Sequence, residues 1–401
     1  MHPYCSEFYP FSLVFCFTAP AFEEIVMKKT ALSPMPASWG DHTFAAFPRR
    51  ITLHRFNRAL LPAVAAFICM ACAAYILRTG ATALFVIAIV VICIACSGLL
   101  YQTMATFIDQ RRYPPPGKLV EIDGSRMHIQ SVGTGSLTVI LEAGFGAMSS
   151  AWGWIQPEIG KFTRVVSYDR AGLGWSDADT ASPSALRIAW RLHKLLQKSG
   201  ITGPYVLVGH SMGGLLVRVF ANQYPDEVVG MVLVDASHPD QHERHPDIPR
   251  YMHAGFQLLE KIPLLTRFGC VRLTGLFHSQ ADGLPARQRS ETEAFLASHR
   301  HLAATLKESL AWNTLCAEVR CSRGLGNKPL AVVSAGKDVL PGAAELQAEL
   351  ATLATTSTHR VVDGATHVTL VTHLDHSMSV VEAIRQVVEQ VREPSAAEWG
   401  Y

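Results

Sequence analysis

Charge is what this sequence has least of. Only 17% of its 401 residues are Asp, Glu, Lys or Arg, against 49% hydrophobic, and the signs nearly cancel, with 35 basic and 33 acidic side chains. A formal charge of +2 offers no broad attraction for a polyanion, so nucleic acid is excluded as an expected partner. So apolar a composition also excludes disorder over most of the length. A disulfide framework is lacking too, because the nine cysteines are scattered through a long chain. Cys69/Cys72 and Cys93/Cys96 have the C-x-x-C spacing, but they sit in very apolar sequence that disfavours the thiolates zinc or redox chemistry needs. They read as small packing residues between helices. No internal repeat is present.

Long hydrophobic runs, by contrast, are abundant near the start. Leu60–Leu77 and Ala81–Tyr101 are almost wholly apolar, and each is long enough to cross the roughly 30 Å core of a bilayer as a helix. The connection between them is too short for parallel spans, which predicts a transmembrane helical hairpin over 60–101, behind an N-terminal tail of 1–59. Arg49, Arg50, Arg55 and Arg58 precede it and Arg111, Arg112 and Lys118 follow it, while the turn carries only Arg78. The positive-inside bias therefore predicts an integral protein of the plasma or inner membrane, bound to lipid through the hairpin, with the remainder in the cytoplasm. Tyr113-Pro114-Pro115-Pro116-Gly117 marks a linker, taken as 102–118, ahead of a domain over 119–401.

In that domain, short Val/Ile/Leu-rich runs alternate with amphipathic stretches. Strands are expected at Leu119–Asp123, Arg126–Gln130, Thr138–Glu142, Arg164–Tyr168, Tyr205–Gly209, Met231–Asp235, Leu330–Ala335 and His359–Val362. Helical patterns fall at Ala185–Lys198, Leu215–Gln223, Ala343–Leu353 and Ser379–Val391. The fold class is α/β: a mostly parallel eight-stranded sheet with helices on both faces. From about 239 to 326 the pattern turns helical (Tyr251–Leu259, Ala286–His299, Leu302–Cys316) with no core strand, which predicts an inserted cap that shapes a substrate pocket.

Chemistry concentrates at the carboxyl ends of the strands. Tyr205–Gly209 runs into Gly209-His210-Ser211-Met212-Gly213-Gly214 and then an apolar helix, so Ser211 sits on a strained strand-to-helix turn whose glycines avoid collision. Met212, opening that helix, can aim its N–H at an oxyanion. A serine hydroxyl needs an imidazole to take its proton and a carboxylate to orient the imidazole. His367, in Asp363-Gly364-Ala365-Thr366-His367, is the expected base. His373 and His376 fall past the loop, and His210 adjoins the serine but is expected to point elsewhere. Asp338, after the strand Leu330–Ala335, is the expected acid; Asp235, ending the strand before the cap, is the alternative, and Asp363 reads as a solvated loop residue. Phe145 N–H, in Glu142-Ala143-Gly144-Phe145-Gly146, is the second candidate oxyanion donor.

These motifs, with Tyr168-Asp169-Arg170-Ala171-Gly172-Leu173-Gly174-Trp175-Ser176 and Ser334-Ala335-Gly336-Lys337-Asp338, resemble the α/β-hydrolase superfamily over about 119–395. The likeness is to its proline-iminopeptidase-like and haloperoxidase-like esterases. It implies a triad of Ser211, Asp338 and His367, oxyanion donors at Met212 and Phe145, and hydrolysis of an ester or related acyl bond in a small-molecule or lipid-like substrate, with no metal or cofactor. Many relatives have His-Gly where this chain has Ala143-Gly144. Serine as the nucleophile argues against epoxide-hydrolase and haloalkane-dehalogenase chemistry, which use an aspartate there. An aminopeptidase of the proline-iminopeptidase type, or a non-catalytic membrane-tethered binding module, stands as the alternative.

Overall fold

A computed structural model describes residues 60–79, 82–244, 257, 259–340 and 342–393. The tail 1–59 and most of the expected helix Tyr251–Leu259 lie outside them. The chain divides into two units between Leu100 and Tyr101.

The first unit holds the helix α1 (Leu60–Thr79) and most of α2 (Thr82–Arg112). From Leu84 onward α2 is long and apolar enough to cross a membrane, with a mean hydropathy of 2.8. In α1 the described apolar stretch is the shorter Ala66–Tyr75, so one helix rather than two meets that standard. Leu84, Ile87 and Ile94 are exposed along α2. A row of large apolar side chains without protein cover suits lipid.

The expected linker 102–118 is shorter than its sequence suggested, because α2 continues to Arg112. Nothing from Gln102 to Arg112 breaks a helix, and the turn to extended backbone comes only at Tyr113, which precedes Pro114. The end of α2 belongs to the second unit: Gln102 Nε2 donates to Ala297 O at 2.8 Å, and Asp109 pairs with Arg272 at 2.6 Å.

In the second unit eight strands form one sheet in the order β1-β2-β4-β3-β5-β6-β7-β8. They are β1 (Lys118–Ile122), β2 (Ser125–Val132), β3 (Thr138–Glu142), β4 (Arg164–Tyr168), β5 (Tyr205–His210), β6 (Val228–Val234), β7 (Leu330–Ala335) and β8 (Ser357–Val362). β1 and β2 form a hairpin on Asp123-Gly124, both at positive φ, a two-residue turn that matches strand twist. β2 pairs antiparallel with β4; all later pairings are parallel.

Both faces of the sheet are covered. On one lie α3 (Ala185–Lys198) and α4 (Met212–Gln223); Leu192, Leu196, Leu216 and Phe220 pack there with Ile140 and Leu207. On the other, Ile155, Ile159 and the apolar stripe of the final helix, with Val380, Ile384 and Val387, pack on Val139, Val206 and Val232. The alternating side chains of each strand feed these two cores.

The inserted segment is helical where described, with α5 (Ala286–Leu296), α6 (His299–Leu310) and α7 (Trp312–Arg320). The single helix expected over Leu302–Cys316 is two, broken at Ala311. That break lets α7 leave the cap: Trp312, Leu315, Cys316 and Val319 join the main core beside α4.

Candidate active site

The carboxyl end of β5 carries the serine. Ser211 has φ 55° and ψ −125°, a conformation side chains rarely adopt. The turn survives because its neighbours lack Cβ atoms: one on Gly209 would stand 2.6 Å from the Gly213 carbonyl carbon, and one on Gly213 would stand 2.4 Å from Glu142 O. Ser211 N–H donates to Val234 O at 3.0 Å, and Ser211 O accepts from Ser237 N–H at 3.0 Å, tying the turn to the end of β6.

His367 Nε2 lies 3.0 Å from Ser211 Oγ, and His367 Nδ1 lies 2.6 Å from Asp235 Oδ2. A neutral imidazole with its proton on Nδ1 donates to the carboxylate and leaves Nε2 to accept from the hydroxyl. Three side chains far apart in sequence thus form one continuous chain of hydrogen bonds.

The acid differs from the first expectation. Asp338 is exposed and, among the described residues, makes no hydrogen bond or ion pair, whereas Asp235 takes the place beside His367. Both residues follow strands and both have positive φ. What separates them is the sheet order: β6 adjoins β5, so Asp235 emerges next to the serine turn, with Val234 opposite His210. Ala335 N–H, ending β7, donates to Asp235 Oδ1 at 3.1 Å. Gly336 and Lys337 spend their own N–H groups on Ala365 O, which pins the histidine loop to the end of β7. Burial raises the Asp235 carboxyl, but the bond to His367, the imidazole charge and the Ala335 N–H together hold it below its usual value. It is therefore ionised at neutral pH.

His210 does not point away from the site. Its Nε2 sits 3.0 Å from His367 O, and the two rings lie 4.7 Å apart. Burial and the neighbouring His367 push His210 down to about 3, so it stays neutral and donates to that carbonyl. His376 bonds Thr369 Oγ1 at 2.9 Å rather than the serine, and Asp363 is exposed. Trp152 is buried in the core. Trp154 donates to Gly283 O at 2.7 Å, across to the inserted segment.

The loop after β3 faces the serine, since a Cβ on Gly144 would stand 3.2 Å from Ser211 Cβ. Met212, first in α4, has an N–H that no carbonyl of its own helix can take. Phe145 packs its ring edge-on to Trp312 at 6.5 Å. The loop is gripped by buried charge. Arg170 donates to Ala143 O and Gly144 O, each at 2.7 Å, to Glu142 Oε1 at 2.7 Å and to Glu308 Oε1 at 2.6 Å. Glu308 Oε2 in turn accepts Gly146 N–H at 2.9 Å, and the Tyr168 hydroxyl donates to Glu142. On the far side His301 Nε2 lies 2.8 Å from Gly146 O, while its Nδ1 accepts Gly174 N–H at 3.1 Å. Burial opposes the Arg170 charge, but Glu308 and Glu142 more than restore it, so its pKa stands above the usual guanidinium value. Burial pushes His301 down to about 4.

Comparison with known proteins agrees with this architecture. A model of the alpha/beta hydrolase fold matches residues 138–261. The protein YqjL of Bacillus subtilis is 33% identical over 119 residues, 29% of this chain and 47% of that one. The chain spans just under half the length of the first curated relatives it matches. Among solved structures, a thermophilic esterase from Thermogutta terrifontis aligns with TM-score 0.50 at 21% identity, over 69% of this chain and 97% of that one. A protein from Pseudomonas aeruginosa described as a putative epoxide hydrolase aligns with TM-score 0.56 at 18% identity, over 69% of this chain and 97% of that one. The sheet order, the serine turn and these likenesses together give the domain an α/β-hydrolase fold.

Proposed function

We propose that the domain is a serine hydrolase that cleaves a carboxylic ester or related acyl bond through a covalent acyl-enzyme. The observation that carries this reading is the run from Ser211 Oγ to His367 Nε2 at 3.0 Å and from His367 Nδ1 to Asp235 Oδ2 at 2.6 Å. Ser211 Oγ attacks the carbonyl carbon while His367 Nε2 takes its proton, and Asp235 stabilises the imidazolium that forms. The oxyanion is held by Met212 N–H and Phe145 N–H, with the start of α4 favouring its negative charge. His367 returns the proton to the leaving group, then activates a water that releases the acid and restores Ser211. No step calls for a metal or cofactor.

The nucleophile position also supports acyl chemistry over epoxide opening, since a hydroxyl rather than a carboxylate stands at 211. The apolar helices 60–79 and 82–112 are read as a hairpin in the plasma or inner membrane that keeps the domain on the cytoplasmic side, near apolar or lipid-derived esters. A fluorophosphonate probe should label the protein on Ser211, and Ser211→Ala should abolish the label. Labelling that survives in Ser211→Ala removes the serine from this role. Folded protein that neither labels nor hydrolyses p-nitrophenyl esters and aminoacyl amides points to a tethered binding module.

A further inference from the structure

A half-open cavity of about 310 Å³ lies between α3, the loop after β4 and the cap helix α6. None of Ser211, Met212, Phe145, Asp235 or His367 lines it. Its volume is at the small end for an organic ligand. Met127, Pro183, Ile188, Ala303 and Ala304 supply an apolar lining, and its charged lining is five cations against two carboxylates, Asp179 and Glu308.

The carboxylates in the lining leave Lys307 without a carboxylate partner and Arg300 with only the longer-range charges of Asp169 and Asp177, which stand outside it. Arg170 is neutralised by Glu142 and Glu308. Arg187 and Arg191 share Asp179, and Arg187 also reaches Asp123. The remaining cations, Arg300 and Lys307, hydrogen-bond only backbone carbonyls among the described residues: Arg300 those of Gly174 and Ser176, Lys307 that of Asp179 at 2.7 Å. Arg300, Ala303, Ala304 and Lys307 recur at helical spacing, so one face of α6 presents two cations flanking a small apolar patch. Arg191 lines the same space, but its guanidinium is already bonded to Asp179, Ile122 O and the Ser125 hydroxyl. Burial lowers Arg191 and Arg300 from the usual guanidinium value, whereas hydrogen bonding to Asp179 raises Arg187.

We propose that this cavity binds a small amphiphilic carboxylate, its headgroup against Arg300 and Lys307 and its hydrocarbon part against Ile188, Ala303 and Ala304. The same wall reaches the serine's side of the molecule, because Arg170 and Glu308 line the cavity and also clamp residues 143–146. Occupancy therefore bears on the oxyanion loop. That consequence for catalysis rests on the serine-hydrolase reading; the binding does not.

The test uses the full chain in lipid nanodiscs with a diazirine analogue of octanoate as photolabel. Saturable labelling is expected in peptides spanning 178–191 and 299–307, competed about tenfold better by octanoate than by octanamide, since a charge-assisted bond is at stake. Lys307→Met should weaken labelling at least about fivefold by the same arithmetic. Ala303→Phe should abolish it by filling the space, with thermal melting confirming that both variants fold. Ser211→Ala should keep the photolabel while losing the fluorophosphonate, so the two proposals fail separately. Octanoate should also slow hydrogen exchange in 143–147. Label on the peptides carrying Ser211 and His367 instead, equal competition by octanamide, or labelling unchanged in both cavity variants overturns the binding site. Unchanged exchange overturns the link to the loop.

Discussion

The serine turn and the loop facing it meet across a few ångströms, but different physics holds each in place. The turn is set by local sterics: Gly209 and Gly213 allow the backbone to close on itself, and Ser211 occupies a positive φ because its neighbours leave room. The loop is set by charge in a dry interior, with Arg170 gripping Ala143 and Gly144 from below and Glu308 reaching Gly146 from the cap. A steric device is encoded within a few consecutive residues, so it withstands change elsewhere. An ionic one depends on partners 138 residues apart and fails as a unit when one is lost.

Substitutions at the two places should separate these mechanisms. The largest effect is expected in the hydrogen-bonded chain at the serine: Asp235→Asn should lower kcat on a p-nitrophenyl ester by roughly 10³ to 10⁴, as loss of the orienting carboxylate does in triads generally. Asp338→Asn should stay within about twofold, as surface changes do. Equal losses in the two variants would return the acid to Asp338. Next comes the clamp. Arg170→Met leaves Glu142 and Glu308 buried without their cation, and should cost about 3–5 kcal/mol in chemical denaturation. If that variant melts like the parent, the loop is not held by charge.

A smaller loss, about 1–3 kcal/mol of overpacking, is expected for Gly209→Ala, because the new methyl meets backbone that cannot rotate aside. Full stability in that variant would break the steric half of the comparison. A further effect is one of pH rather than of substitution. His210 and His301 are neutral when folded, at about 3 and about 4, while the unfolded chain takes up these protons near the ordinary histidine value. Their stabilisation is therefore complete above about pH 6.5 and declines as the pH falls toward 4 and then 3. Asp235, held below its usual value, adds a loss of the same sign at the acid end. Tm should fall steadily from pH 7 to pH 4, and His301→Gln should show a shallower slope.

How much of this was readable in the sequence follows the same division. Strands buried on both sides and the glycine-flanked serine announce themselves locally, and all eight strands lie within a few residues of where alternation and turn signals put them. His367 was legible because its loop follows the last strand directly. The acid was not, because Asp235 and Asp338 both follow strands, and only the neighbour relations of β5, β6 and β7 decide which one meets the imidazole. The arginine was visible in its motif, yet its partner Glu308 lies in an insertion whose packing no local pattern reveals. His210 was misjudged for a similar reason, since its partner is a backbone carbonyl 157 residues away.

The bond from Glu308 to Gly146 bears on how caps are exchanged between proteins of this fold. A transplanted cap without a carboxylate at this place would leave Arg170 half-matched under the loop that faces the serine. Cap and loop are in this sense one unit. Remodelling of specificity should then begin in the helices ahead of α6, where the insertion can vary without disturbing the clamp.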